Sequence, residues 1–315
     1  MAQPSGLLRR PLAAALPASP IRLLPLSLLL ALGVLWGLPF ILSKLASQSG
    51  VPPSGYALWQ CLGAALLVGL LATWRGEKLQ LTPRYLRFYA VTGTLGVTLP
   101  LANMYYVLAH VPAGVVAITV ATIPVFTYCI ALLVRLESVA AGRAGGILLG
   151  FAGVLLVLLP RIELPASGVS SWTLLGFVTP LSYACCHVYV GRARPADATG
   201  ASLTVGMLLA AALALIPLLA ATDGWYLPSL QPNLGEAAIL GQILISSLGY
   251  LLVFELIRIA GPVYFSQVGY LVTVSGLILA ATIFHERYPA SLWAALALIF
   301  AGVYLVSLKR RVNRE

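Results

Sequence analysis

Phe151-Ala-Gly-Val154 recurs unchanged as Phe300-Ala-Gly-Val303, 149 residues further along the chain. At the same offset Glu137 meets Glu286, Ala131 meets Ala280, and Tyr105 falls opposite Phe254. Short apolar matches arise by chance, but an identical tetrapeptide with a glutamate in register signals an internal duplication. Each tetrapeptide sits in an apolar run, at about 142–160 and 291–308, long enough for a membrane-spanning helix. Eight more such runs fall at about 25–46, 56–74, 87–108, 113–134, 171–190, 202–221, 238–257 and 263–284. The repeated unit is thus five segments, and because five is odd the second copy enters from the opposite side. The expected fold is an all-α integral membrane protein: ten transmembrane helices as two inverted five-helix repeats, 25–160 and 171–308. Residues 1–24 are expected to form a cytoplasmic N-terminal arm and 309–315 a basic cytoplasmic tail.

Composition excludes a soluble fold. The 315 residues are 60% hydrophobic and 9% charged, whereas soluble domains carry roughly 25% charged residues. The net charge of +10 would suggest nucleic acid in a soluble chain. Here the basic residues mark segment ends. With both termini cytoplasmic, 16 of the 19 lysines and arginines fall on the cytoplasmic side, and only Lys44, Arg161 and Arg287 on the other. That asymmetry follows the positive-inside rule and supports ten spans, since one missed span would scramble it. Arg9-Arg10 precede a short apolar stretch broken by Pro11 and Pro17, which reads as part of the arm rather than as a signal peptide. Cys61, Cys129, Cys185 and Cys186 lie inside apolar runs without a CxxC, so neither a disulfide framework nor a zinc ribbon is expected.

The chain resembles the EamA-like branch of the drug/metabolite transporter superfamily over about residues 27–308. The resemblance rests on Trp36-Gly37-Leu-Pro-Phe40 in span 1, Ile123-Pro-Val-Phe126 followed by Glu137, Gly150-Phe-Ala-Gly-Val154, and the repeat of the last motif at Phe300. Pro39, Gln60, Thr273 and His285 depart from residues common in the family. The resemblance implies a ten-helix secondary carrier of small metabolites, commonly outward, with a cavity between spans 1, 3, 4, 6, 8 and 9.

Candidate site residues follow from helix breaks and intramembrane polarity. Pro39 and Pro180 interrupt spans 1 and 6, which correspond in an inverted repeat, and Pro100 and Pro124 break spans 3 and 4. Trp36 and Phe40 share one helix face by their spacing, as do Tyr183 and His187, so they could wall a site for an apolar, aromatic or cationic solute or simply pack. Adjacent residues on a helix diverge by about 100°, so Cys185-Cys186-His187 does not converge on a metal. Lys44 either holds a substrate anion or snorkels to the interface. Asn103, Gln267 and Tyr270 are polar groups that face substrate, water or other helices. Glu255 is the acid within an apolar run: a coupling residue for protons, or the ion-pair partner of Arg258 three residues on. Glu137 and Glu286 are read as structural caps for the helices that follow them. Gly142, Gly146 and Gly150, with Ala297 and Ala301, are helix-packing faces, within the chain or in a homodimer.

The expected activity is secondary transport by alternating access. The cargo is a small metabolite such as an amino acid or related compound, or a drug-like amphiphile, exported across the inner or plasma membrane. Few charges line the expected cavity, which argues against a sugar phosphate. The sequence carries no Walker A pattern, so coupling to protons or facilitated diffusion is expected rather than ATP drive. The expected partners are the bilayer and the small-molecule substrate, with no cofactor and no nucleic acid. A non-transporting sensor or partner on the same scaffold is the alternative. An intramembrane enzyme ranks last, because His110, His187 and His285 come with no HExxH or GxSG pattern.

Overall fold

A computed structural model describes residues 23–108, 110, 116, 119–158, 171–229, 233–284 and 291–308. The described residues form helices without a strand. Four helical stretches, Pro53–Trp74, Leu174–Ala193, Gly200–Ala221 and Leu234–Ala260, are long and apolar enough to cross a membrane. Charge is rare in these stretches, and helix is the backbone state that satisfies its own polar groups in lipid.

Several other apolar runs are divided. The first run forms α1 (Leu23–Leu35) and α2 (Pro39–Gln48), and α3 (Pro53–Trp74) follows unbroken. The third forms α4 (Pro83–Gly93) and α5 (Leu99–Leu108), joined by a π-helical turn at Thr94–Thr98. Pro100 has no N–H for the ladder at that point, and a widened turn absorbs the gap. Next come α6 (Ile123–Leu133), with Pro124 in its first turn, and α7 (Ala141–Leu158). The sixth run divides at Phe177 into α8 (Ser171–Gly176) and α9 (Val178–Ala193). Unbroken α10 (Gly200–Ala221) and α11 (Leu234–Ala260) follow, then α12 (Pro262–Ser266) and α13 (Val268–Phe284), separated at Gln267, and finally α14 (Ser291–Leu308).

The caps explain two of these starts. Thr199 accepts the Ser202 N–H at the head of α10, and Asn233 accepts the N–H groups of Gly235 and Glu236 at the head of α11. The loop before α11 is pinned to α3, where Trp59 Nε1 donates to the carbonyl of Tyr226 at 2.8 Å. Proline opens α2, α3, α4 and α12, where its missing N–H has no partner to lose.

The helices pair in a regular pattern. α7 packs along α14, and α3 along α10. α1 packs on α13 as α9 packs on α6; α11 lies on α3 as α10 lies on α4; and α2 lies on α11 as α5 lies on α9. Glycines permit the closest approaches. A Cβ at Gly146 would stand 2.7 Å from the carbonyl of Gly302, and one at Gly153 2.8 Å from that of Ala295. The small-residue row of α7 is therefore used against α14 of the same chain. On α1, a Cβ at Gly33 would meet the Leu271 side chain and one at Gly37 the Ser275 hydroxyl, which itself donates to the carbonyl of Gly33 at 2.5 Å.

Candidate functional site

The breaks in the helices come together around a chain of rings. α1 stops at Leu35, and the Gly37 N–H reaches back only to Val34, a tightened turn before Pro39 opens α2. Trp36 stands in that turn. Its indole meets Tyr250 of α11 edge to face, with centroids 5.9 Å apart, and Phe265 of α12 at 6.2 Å. Phe265 meets the His187 ring of α9 at 4.7 Å, and His187 stacks with Tyr183 at 6.2 Å. Edge-to-face pairs of this kind are favoured by the ring quadrupoles. Rings from four separate apolar runs thus form one wall. The Trp36 and Phe40 pair does not sit on one continuous helix as its spacing suggests, because the turn between Leu35 and Pro39 intervenes; the Phe40 side chain lies outside the described residues.

Two buried side chains in or near these helix breaks keep polar atoms without a partner among the described residues. His187 Nδ1 is buried and accepts or donates nothing among the described residues, and neither polar atom of the Gln267 amide has a partner. Gln267 is fully buried at the break between α12 and α13, two residues from Phe265. A buried amide without a hydrogen bond costs about 1–3 kcal/mol. The His187 orphan, which lies in the ring series, suits a ligand that brings a hydrogen-bonding group to an aromatic surface.

Other expected site residues have structural partners. Asn103 Nδ2 donates to Thr179 Oγ1 at 2.9 Å and to the carbonyl of Leu175 at 3.1 Å, satisfying an acceptor that the break after α8 leaves free. Tyr270 is fully buried, its ring against Gly150 and its hydroxyl donating to the Ile147 carbonyl at 3.0 Å, so it faces α7. Lys44 is exposed midway along α2. Pro180 lies in the first turn of α9, just past the break at Phe177, and Phe177 meets Phe126 of α6 at 6.2 Å. Glu255 accepts from Arg258 Nε at 2.8 Å, with its side chain 41% exposed. Glu137 forms an ion pair with Arg143 in the first turn of α7, while the Ala140 N–H is taken by the Tyr128 hydroxyl at 2.9 Å. The carboxylate thus meets a side chain at that terminus, and a phenol caps the backbone. Glu286 and His285 lie outside the described residues. Among the described residues no group of three His, Cys, Asp or Glu side chains could hold a metal.

Tyr250 and Phe265 were not singled out by sequence. Nothing local distinguishes them from the other aromatic residues of apolar runs, and only the crossing of α11 and α12 past Trp36 gives them a place.

The chain is thus a helical multi-pass membrane protein whose interrupted helices meet at a half-buried aromatic wall. The EamA-like transporter family model matches residues 23–159 and 170–308, and the chain belongs to that family. It is a membrane transporter of the drug/metabolite type. The uncharacterized inner membrane transporter YedA of Escherichia coli strain K12 is 30% identical over 302 residues, covering 91% of this chain and 92% of the relative. The uncharacterized transporter YvbV of Bacillus subtilis strain 168 is 26% identical over 294 residues, covering 91% and 93%. A crystal structure shares the fold with a TM-score of 0.73 at 16% identity, covering 93% of this chain and all of its own.

Proposed function

We propose that the chain is a secondary carrier of ten spans in two inverted five-helix repeats, with both termini cytoplasmic. The helix pairing supports this reading. Principal contacts have counterparts when spans 1 to 5 are exchanged with spans 6 to 10: α1 on α13 answers α9 on α6, and α11 on α3 answers α10 on α4. The breaks fall in exchanged partners too, at Trp36 and Phe177 and at Thr122 and Gln267. Two halves of equivalent construction can exchange conformations, which is the physical basis of alternating access.

The cargo is a small metabolite with an apolar or aromatic part and hydrogen-bonding groups, such as an amino acid or related compound, or a drug-like amphiphile, moved outward. The observation that carries this is the ring series Tyr250, Trp36, Phe265, His187 and Tyr183 with the His187 Nδ1 that has no partner among the described residues. None of these side chains is a standing charge when the histidine is neutral. In this reading Glu255 is an interfacial ion-pair partner, Lys44 snorkels, and Asn103 and Tyr270 hold helices together.

Purified protein in liposomes tests the proposal through exchange of amino acids, nucleobases and cationic dyes at several pH gradients. Counterflow of at least one class is expected. No flux of any class overturns the carrier, and a reporter that places the C-terminus outside the cytoplasm overturns the topology.

A further inference from the structure

Away from the aromatic wall, a cavity of about 590 Å³ opens between the start of α4 and the end of α9, lined by Pro83, Arg84, Arg87, Tyr189, Arg192, Ala193 and Arg194. Four guanidiniums around one space repel each other unless an anion shares it. Among the described residues no acid lines the cavity. Asp197 lies within electrostatic reach of Arg84, and Glu255 and Arg258 within reach of Arg194. Yet the ion pairs among the described residues are Glu137 with Arg143 and Glu255 with Arg258, so none of the four lining arginines is closed off by a carboxylate.

Two of the four are held in place by backbone. Arg192 donates to the Val134 carbonyl at 2.8 Å, and Arg194 to the carbonyls of Phe254 at 2.8 Å and Ala198 at 3.3 Å. A guanidinium has five N–H donors, so both keep donors to offer. Tyr189 supplies an apolar wall, stacked on Phe88 with centroids 5.6 Å apart. Positive-inside sorting accounts for arginines at helix ends. It does not account for four that converge on one concavity, two of them oriented by carbonyls.

We propose that this cavity binds the phosphate of an anionic membrane lipid. Planar guanidinium forks match phosphate oxygens two at a time. Basic pockets between helices near a membrane face take anionic headgroups on this principle. Arg84 and Arg87 occupy the first turns of α4, three residues apart and so on one face, at the end of an apolar run where a membrane surface meets the helix. A soluble phosphate compound would use the same guanidiniums, so inorganic phosphate is measured beside the lipid.

The test is lipid binding to the purified full chain in detergent, counted by native mass spectrometry. Phosphatidylglycerol should bind at least ten-fold more tightly than phosphatidylcholine. Arg84→Gln with Arg87→Gln should abolish that preference, whereas the charge-matched control Arg75→Gln with Lys78→Gln should keep it. Absence of the preference in the unaltered protein, or its survival in the Arg84/Arg87 variant, overturns the site. Inorganic phosphate that binds as tightly as the lipid keeps the phosphate site but overturns the lipid as its source. If the glutamine variant is not monodisperse, Arg84→Lys with Arg87→Lys retains charge without the fork. It should weaken phosphatidylglycerol at least three-fold, and unchanged binding overturns the proposal.

Discussion

Gly249 of α11 lies against the indole of Trp36, so close that a Cβ added there would collide with Nε1. The tryptophan that stands in the first helix break is thus positioned by a missing side chain on a helix more than 200 residues away in sequence. Gly249→Ala should push the indole away from Tyr250 and Phe265. Overpacking of this kind costs about 1–3 kcal/mol, which a helical membrane protein should survive folded. The expected outcome is a monodisperse protein with counterflow reduced at least five-fold. Unchanged transport would show that the Trp36 position does not matter to it.

The Gln267 amide opposes stability, and the proposed carrier gives it a part in binding. Gln267→Met fills a similar volume without an unsatisfied donor or acceptor. It should raise the melting temperature, because removal of a buried orphan returns about 1–3 kcal/mol, and should lower transport at least ten-fold. A gain of stability with transport intact would assign the amide no contact with cargo.

Tyr270→Phe separates packing from recognition. The ring stays against Gly150 and only the bond to the Ile147 carbonyl is lost. Interhelical hydrogen bonds in membranes average about 0.6 kcal/mol, so a small drop in melting temperature is expected with KM unchanged. A several-fold rise in KM would instead place Tyr270 in the cargo site.

Glu255→Gln removes a surface ion pair and should leave counterflow within two-fold of the parent at every pH gradient. Loss of the pH dependence, with the fold intact, would make Glu255 the coupling residue.

Gly146→Leu should disrupt the seam between α7 and α14, where the Gly302 carbonyl leaves no space for a side chain. Lower thermal stability is expected, with no change in oligomeric state by light scattering. A dimer that dissociates in the variant would mean that the glycine row faces a second copy.

Much of the helical plan was legible in the sequence. Apolar runs such as 202–221 and 238–257 needed only length and the absence of charge, because lipid leaves the backbone no alternative to helix. Proline marked the interruptions at Pro39, Pro100 and Pro124, since a missing N–H is a local property. The break at Gln267 carried no such mark. The side-chain assignments were less legible: Trp36 and the Tyr183–His187 pair are joined only through Phe265, which the sequence did not mark, while Asn103 and Tyr270 are engaged between helices.

The sequence by itself determined an all-helical membrane chain and where several helices would break, because hydrophobicity, charge and proline act along the chain. Only the tertiary structure decided which rings meet Trp36, that Gln267 and His187 keep unpartnered polar atoms, and that Arg84, Arg87, Arg192 and Arg194 surround one cavity. Those facts depend on how α4, α9, α11 and α12 cross, and crossings are set by side-chain volumes and glycine contacts between residues far apart in sequence.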